Sequence, residues 1–238
     1  ARLVSRQQRE TLRRASALGS TGLPDKLADC RSTDVGETEL LIVEGDSAAG
    51  PTKAGRNSEF QAVLPIRGKI LNAGKATMKQ VLENAEAEAI FTVMGAGSGA
   101  DFDPAVARYG RVVILADADV DGAHIRCLLL TLFYSYMRPL LEQGRIYVAM
   151  PPLFTIKETA GAKAKHFAYD DADRQRICDE LAAAGKNFKI GRNKGLGEMD
   201  VDELAQTALD PETRVLRRVT LDEGEAAAAA TAFDVLMG

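Results

Sequence analysis

The chain has 238 residues, of which 46% are hydrophobic and 27% are charged, and its formal net charge at pH 7 is −4. This composition is typical of a globular protein with one large or two small domains. No stretch approaches about 18 uninterrupted apolar residues, so no membrane span is expected. The small negative net charge gives no indication of nucleic-acid binding. Local basic patches, and not the net charge, decide such contacts.

The cysteines and the first residues bear on the cellular compartment. Cys30, Cys127 and Cys178 are far apart and form no C-x-x-C pair, which argues against a zinc ribbon or a disulfide framework. The N-terminus has no signal-peptide pattern. We therefore expect a reduced, cytoplasmic compartment and no contact with a membrane.

The N-terminal segment predicts a helix that lacks a packing partner. Residues 1–18 are polar and rich in arginine, with few apolar positions, and Gly19 to Pro24 end the helical pattern. Such a helix folds poorly alone, so we interpret it as the end of a longer element and expect the chain to be a fragment. A loop is predicted over residues 25–37.

The first predicted strand, residues 39–43, runs directly into the motif E-G-D-S-A at residues 44–48. Glu44 therefore follows an apolar strand, at the position where open α/β sheets bind ligands. Gly45 to Gly50 has the glycine spacing of a phosphate-binding P-loop, but that loop requires lysine next, where Pro51 stands. We predict no ATP site here.

A basic segment rich in Lys, Arg, Asn and Gly follows over residues 53–79 and contains L-P-I-R-G-K-I-L-N at 64–72. Basic side chains, asparagine and backbone amides hold nucleic-acid phosphates in register, so the segment is either a phosphate contact or a solvated loop. A helix is predicted over 77–89. The glycine run at 95–99 indicates a flexible turn, because no helix pattern follows it.

The stretch over residues 111–130, RVVILADADVDGAHIRCLLL, is the one around which the chain is organised. It predicts a buried strand, then a cluster of acids, then a long apolar helix beginning near His124. The carboxylates of Asp117, Asp119 and Asp121 repel one another, and a divalent cation relieves that repulsion. Mg²⁺ takes oxygen ligands and keeps several waters that a phosphate can displace. The stretch therefore predicts a metal site.

Three other interpretations of the acidic stretch compete with this one. An EF-hand loop shares the pattern D-x-D-x-D-G but requires glutamate at its last position, where Leu128 stands, and a helix before the loop instead of a strand. A phosphotransferase would use the first aspartate as its nucleophile, which a strand-borne D-x-D allows. A solvated acidic turn explains poorly why the acids follow a strand apolar enough to be buried on both faces.

The remaining residues predict alternating helices and strands. A buried helix is predicted over 125–141, and Tyr134 and Tyr136 on it are interpreted as core residues rather than as nucleophiles for DNA. A strand over 145–150 ends this unit, and the rest forms a second section. Its predicted elements are a hairpin of 154–156 with 166–169, helices at 171–184, 200–208 and 225–236, a basic glycine-rich loop at 188–199, and a strand at 215–221.

Four motifs in order carry a family resemblance: E-G-D-S-A, P-I-R-G-K-I-L-N, D-A-D-V-D-G-x-H-I and N-K-G-L-G-E-M. From about residue 23 onward they resemble the C-terminal half of the B subunit of bacterial type IIA topoisomerases, the family of DNA gyrase and topoisomerase IV. The resemblance implies a TOPRIM fold over 38–152, a Rossmann-like parallel sheet flanked by helices, then a C-terminal α+β extension over 153–238. Residues 1–22 would be the end of the transducer helix and a linker, and 23–37 a connecting loop.

The family's chemistry is implied by the same resemblance. A tyrosine of the A subunit attacks a DNA phosphate, and two Mg²⁺ ions, replaceable by Mn²⁺ or Ca²⁺, lie on Glu44, Asp117 and Asp119. Asp121 is near enough to help, and Glu44 is alternatively a general acid for the leaving 3′ oxygen. The metals would neutralise charge on the reacting phosphate. ATP belongs to the family's N-terminal region, which is expected to be absent from this chain.

The resemblance also implies double-stranded DNA and the A subunit as partners, in an A₂B₂ assembly in the bacterial cytoplasm, at the nucleoid. Lys69 and Asn72 match the family's DNA-contacting pair, His124 is placed near DNA, and Lys194 is expected to support the DNA gate. The role of Arg67 stays open.

The glycine run at 94–99 favours topoisomerase IV slightly over gyrase. The alternative classes are a stand-alone TOPRIM nuclease or primase, which would share the acids but not the two basic loops, and a DNA-binding scaffold with a structural metal. Mg²⁺-dependent cleavage on addition of an A subunit separates the three classes.

Overall fold

A computed structural model of the chain describes residues 22–161, 164–221 and Thr231. The predicted helix at 1–18, and all but Thr231 of the predicted helix at 225–236, lie outside the described residues. The strands are β1 (Glu39–Glu44), β2 (Gln61–Ile66), β3 (Arg111–Leu115), β4 (Ile146–Ala149), β5 (Phe154–Glu158), β6 (Lys165–Ala168), β7 (Phe188–Arg192) and β8 (Leu216–Val219). The helices are α1 (Gly45–Gly55), α2 (Met78–Glu83), α3 (Ala85–Met94), α4 (Val120–Tyr136), α5 (Arg138–Glu142), α6 (Asp171–Ala183) and α7 (Val201–Leu204).

The main sheet has five strands in the order β2-β1-β3-β4-β8. The first four are parallel, with β1 between β2 and β3, and only β8 runs antiparallel, against β4. Alternate residues of β1 enter two different cores: Leu40 and Ile42 face one side, Leu41 and Val43 the other. A strand buried on both faces explains the continuous apolar run in the sequence. The predicted α/β class, a parallel sheet flanked by helices, is confirmed.

Capping residues set the bounds of the helices beside the sheet. The predicted helix at 77–89 is in fact two helices: Thr77 forms a capping box at the start of α2, and the side chain of Asn84 caps α3. α3 ends at Met94, and its C-cap Gly95 has a positive φ of 66°. The long apolar helix also divides, because α4 ends at Tyr136 and Pro139 lies in the first turn of α5. In the described ranges, no helix is both long and apolar enough to cross a bilayer.

A second sheet of three strands, in the order β6-β5-β7, lies in the C-terminal section. The predicted hairpin is confirmed, since β5 and β6 pair antiparallel. The predicted loop at 188–199 is partly wrong, because residues 188–192 form β7 and pair with β5. Four of the five residues of β7 are exposed, so this strand has no apolar pattern to signal it. Residues 193–199 do form a loop, with one short 3₁₀ turn at Leu196–Glu198.

The C-terminal section also covers the main sheet. The predicted helix at 200–208 consists of α7 followed by a π-helical turn at Ala205–Leu209. Leu196, Leu204 and Leu209 pack with Leu41 and other β1 and β3 residues in the second core. β8 then adds to the sheet edge beside β4. The α+β extension therefore supplies one of the two layers that bury the central strands.

Candidate metal centre and nucleic-acid surface

Two acidic residues meet at the carboxyl edge of the sheet. β1 and β3 are adjacent and parallel, with Val43 opposite Leu115, so the residues that follow them emerge at the same edge. The backbone N–H of Asp117 donates to Oε2 of Glu44 at 3.0 Å. Glu44 and Asp117 are 73 positions apart in the chain, and the parallel register brings them together.

Asp119 has a structural task that the sequence analysis did not foresee. The helix after the acids begins at Val120, not near His124, and the Asp119 side chain is its N-cap, with Oδ1 accepting from the N–H of Gly122 at 2.7 Å. A Cβ at Gly122 would lie 2.2 Å from the carbonyl oxygen of Asp117, so only glycine fits there. The acidic residues thus lie on a tight turn between β3 and α4. The backbone amides at the start of α4 and the positive end of its helix dipole face these acids.

Asp117 is held by groups from two distant segments. The N–H of Leu196 donates to its Oδ1 at 2.8 Å, and Nη1 of Arg126 donates to its carbonyl oxygen at 3.4 Å. Gly195, Leu196 and Arg126 were not among the site residues predicted from the sequence. The G-L-G spacing at residues 195–197 was the signal that could have indicated them, because a solvated basic loop does not require glycine at these positions.

Burial and like charges make Glu44 an unusual carboxyl group. Partial burial raises its pKa above the ordinary value, the hydrogen bond from the Asp117 amide opposes that rise, and the charges of Asp117, Asp119 and Asp121 raise the pKa further. Glu44 therefore lies in the negative field of three neighbouring acids, of which Asp121 is paired with Lys69. Such a field favours a bound cation.

The donor set fits a hard divalent cation in an open site. In residues 22–161 and 164–221, no group of three Asp, Glu, His or Cys side chains is placed to hold a metal ion by itself. In the same ranges, Oε1 of Glu44 and Oδ2 of Asp117 and Asp119 accept no protein hydrogen bond. Mg²⁺ characteristically takes one or two carboxylates and completes its shell with waters and substrate phosphate. Carboxylate oxygens at one edge suit that type of site better than an all-protein cage.

Basic residues of the loop after β2 pair with acids at the same edge. Lys69 lies 2.8 Å from Oδ1 of Asp121, and Nε of Arg67 lies 3.0 Å from Oδ2 of Asp46. All four side chains are exposed, and the Lys69 ammonium holds the pKa of Asp121 below its usual range. Exposed pairs contribute only about 0–1 kcal/mol. Both cations are therefore available to a competing anion at little cost in stability.

The other predicted DNA contacts lie around this edge. Asn72 is half-buried and its Oδ1 accepts from the N–H of Gly74 at 3.0 Å, which shapes the loop. His124 is exposed on the first turns of α4, near enough to Asp121 to lower its pKa. Lys194 is exposed and shares a small surface cleft with Ala118. The structure thus places Lys69 and His124 beside Asp121 and Lys194 beside Ala118, whereas the contact described for Asn72 lies within its own loop.

The local structure also separates rival interpretations. The residues with P-loop spacing begin α1 directly at Gly45, with no phosphate-cradling loop before the helix. The D-x-D-x-D-G pattern follows a strand, which an EF-hand does not have. Tyr134 and Tyr136 pack against the first core, as predicted, and Tyr109 is fully buried.

Comparisons with known proteins agree with the fold and the motifs. The Toprim domain family matches residues 39–151, and the family of the DNA gyrase B subunit carboxyl terminus matches residues 185–238. The chain is 51% identical over 245 residues to the DNA gyrase B subunit of Streptococcus pyogenes serotype M3, with all of this chain and 37% of the relative covered. It is 50% identical to the same gyrase protein of Thermotoga maritima and of Mycolicibacterium smegmatis, covering 36% and 35% of them.

The chain therefore spans about a third of the length of these curated relatives. The relatives are gyrase subunits, so the slight preference for topoisomerase IV drawn from residues 94–99 is not supported. A short glycine run is weak evidence for choosing between the two enzymes. Gly95, Gly97 and Gly99 all have positive φ, so the turn after α3 itself accounts for glycine at these positions.

Proposed function

Because the chain belongs to the Toprim-containing B subunits of the type IIA DNA topoisomerases, and to their gyrase branch, we propose that its acidic edge binds divalent metal and helps an A subunit to cleave and rejoin double-stranded DNA. The relatives are named as subunits of DNA gyrase, an isomerase. The observation that carries the proposal is the convergence of Glu44 and Asp117 across two parallel strands, with Asp119 at the next turn.

The metal is proposed to be Mg²⁺, which Toprim domains typically bind. Glu44 and Asp117 would hold the ion nearest the scissile phosphate, and Asp117 and Asp119 a second ion, with Mn²⁺ or Ca²⁺ able to replace either. When bound, Mg²⁺ would neutralise negative charge on the phosphate and on the leaving 3′ oxygen. The raised pKa of Glu44 is also consistent with the alternative role of this residue as a general acid for that oxygen.

The basic side chains of the same edge are proposed to hold the DNA backbone. Lys69 and Arg67 would leave their exposed partners Asp121 and Asp46 and turn to phosphates, an exchange that costs little because exposed pairs are weak. Asn72 and His124 would add contacts from either side of Lys69, and Lys194 from the far side of the acids. Such contacts orient the scissile phosphate over the carboxylates.

The remaining functions are proposed for the larger assembly. The nucleophile would be a tyrosine of the A subunit, since four described tyrosines, Tyr109, Tyr134, Tyr136 and Tyr147, pack in or against one of the two cores. Two copies of each subunit would form an A₂B₂ complex. Strand passage and supercoil control would draw on ATP bound in another region of the full-length protein, in the cytoplasm at the nucleoid.

The test is to incubate supercoiled plasmid with this chain, with and without a gyrase A subunit, in Mg²⁺, and to trap covalent intermediates with detergent. The chain alone should hydrolyse no ATP and cut no DNA. With the A subunit it should give Mg²⁺-dependent double-strand breaks with protein on the 5′ ends, and EDTA should abolish them. ATP-driven strand passage should still fail.

Two results would overturn the proposal. Robust nicking or primer synthesis by the chain alone would assign it to a stand-alone nuclease or primase. Breaks that persist in EDTA would remove the metal from the chemistry. The matched control is a chain with Asp117→Ala, which should give no breaks with the A subunit while remaining folded by circular dichroism.

A further inference from the structure

We propose that the loop at residues 193–199 positions the carboxylate of Asp117, with Gly195 and Leu196 as positioning residues of the metal site. The inference rests on the proposed function and deepens it. Asp117 and Leu196 are 79 positions apart, yet the N–H of Leu196 donates to Oδ1 of Asp117 at 2.8 Å. The C-terminal section would therefore complete a site whose acids all come from the Toprim domain.

The loop is fixed on both sides, so its amide is a stationary donor. The side chain of Leu196 is 1% exposed and packs in the second core with Leu41 and Leu115. Before it, Nδ2 of Asn193 donates to the carbonyl oxygen of Pro152 at 2.9 Å. After it, the side chain of Met199 is 5% exposed and packs in the same core. A donor anchored in this way fixes the orientation of the carboxylate that accepts from it.

Gly195 is explained by the same carboxylate. Its backbone is extended, with φ −154° and ψ 159°, a conformation that any residue adopts, so backbone strain does not call for glycine. A Cβ at this position would lie 2.7 Å from Oδ2 and 3.1 Å from Cγ of Asp117. Glycine is thus needed because the loop approaches the acid more closely than a methyl group permits.

Adding that methyl group would move the acid rather than unfold the chain. The backbone of Asp117 is tied by its N–H to Glu44, and its carbonyl oxygen lies against Gly122, so the main chain has little room to shift. The side chain would have to rotate, which would break its hydrogen bond from Leu196. Loss of an outer partner of a metal ligand typically weakens metal affinity about 10–100-fold.

The experiment measures Mn²⁺ binding to the chain by electron paramagnetic resonance of the free ion. Gly195→Ala should raise the dissociation constant at least about tenfold. Gly197→Ala is the control for crowding in the same loop, because its Cβ would meet Ser47 at 3.0 Å instead of the acid. Gly191→Ala is the control without crowding, since its Cβ would meet only Thr155 O, at 3.7 Å. Both controls should stay within about twofold of the unsubstituted chain.

A second readout is the Mg²⁺ dependence of DNA cleavage with the A subunit. A displaced ligand weakens metal binding but stays present, so Gly195→Ala should need about tenfold more Mg²⁺ for half-maximal cleavage and should approach the normal maximum at saturating Mg²⁺. Asp117→Ala, which lacks the ligand, should not recover at any Mg²⁺ concentration.

Each outcome has one meaning. Unchanged Mn²⁺ affinity in Gly195→Ala would overturn the positioning role, as would equal weakening in Gly197→Ala, which would indicate loop packing alone. If the unsubstituted chain binds Mn²⁺ no better than Asp117→Ala, the proposed metal site itself fails and the positioning role fails with it. The two failures are therefore told apart by the Asp117→Ala chain.

Discussion

Strand β1 carries a glutamate at each end, and the two ends have opposite chemistry. Glu39 begins the strand and is 1% exposed, with Arg214 donating to both of its carboxylate oxygens at 2.6 Å. Gln61 and Arg111 add further hydrogen bonds to Glu39. Glu44 ends the strand and meets other acids instead. The same residue type on one strand is therefore paired with protein cations at one end and surrounded by other acids at the other.

The pKa values of the two carboxyl groups move in opposite directions for this reason. Burial alone would raise the pKa of Glu39, but the hydrogen bonds from Arg214, Gln61 and Arg111 outweigh it and hold the pKa below its usual range. Burial and neighbouring acids raise the pKa of Glu44. A buried carboxylate that is paired with protein cations is typical of a structural residue. A carboxylate among other acids at the carboxyl edge of a parallel sheet is instead a candidate for a functional site.

The largest expected effect comes from removing an acid of the carboxyl edge. Glu44→Ala, Asp117→Ala and Asp119→Ala should each reduce DNA cleavage with the A subunit by at least about a thousandfold, because each removes a proposed metal ligand. Glu44→Ala should change the free energy of unfolding by only about 1–2 kcal/mol, since relief of repulsion offsets the lost hydrogen bond from the Asp117 N–H. Cleavage at the normal rate by any of the three would remove that residue from the site.

The next effect is a loss of stability at the amino end. Arg214→Ala should lower the free energy of unfolding by up to about 3–5 kcal/mol, because it removes the bidentate partner of the buried Glu39 and leaves only Gln61 and the more exposed Arg111. Urea denaturation measures the change, with Arg217→Ala, an exposed arginine on β8, as the matched control. An Arg214→Ala chain as stable as its control would show that the buried pair does not hold β8 and the strand start together.

Lowering the pH should reduce the free energy of unfolding through the carboxyl group of Glu39. Because the folded pKa of Glu39 is lower than its unfolded pKa, its contribution to stability is present above the unfolded pKa, about 4.3, and is lost as pH falls through the folded pKa. The chain should therefore lose more free energy of unfolding between pH 6 and acid pH than Glu39→Gln does. Parallel pH curves for the two chains would contradict the account.

The smallest effect concerns the exposed pair at the carboxyl edge. Lys69→Ala should change the free energy of unfolding by less than about 1 kcal/mol, because its partner Asp121 is exposed. It should lower the slope of log DNA affinity against log salt by about one, since one phosphate contact is lost. Lys79→Ala, which breaks the exposed pair with Glu83 on α2, is the control. Equal slopes for both variants would remove Lys69 from the DNA surface.

The main strands of this molecule were predictable from the sequence. The apolar runs that lead into Glu44 and Asp117 predicted buried strands of a parallel sheet, because strands buried on both faces read as continuous apolar runs. Acids that follow such strands lie at the carboxyl edge of the sheet, where open α/β sheets bind ligands. The family resemblance supplied Lys69 and Asn72, whose segment composition alone left open between a phosphate contact and a solvated loop.

The distant contacts were not predictable. Arg214 and Glu39 are 175 positions apart, and nothing local marks either as half of a buried pair. β8 joins the main sheet, although its chain position suggested the second section. Gly195 looked like one glycine among several, and its need for close approach to Asp117 emerges only when the two segments are placed together. Each of these contacts depends on how distant segments are arranged in the tertiary structure, which local secondary-structure propensity does not predict.

The most direct test of the account is the Mn²⁺ affinity of Glu44→Gln and Glu39→Gln, measured side by side under conditions where circular dichroism shows both folded. Each change removes one negative charge from the same strand while keeping the shape of the side chain. Glu44→Gln should raise the dissociation constant at least about tenfold, since losing a ligand should weaken binding no less than losing an outer partner of one. Glu39→Gln should leave it within about twofold. Equal affinities for the two variants would contradict the assignment of the carboxyl edge as the metal site.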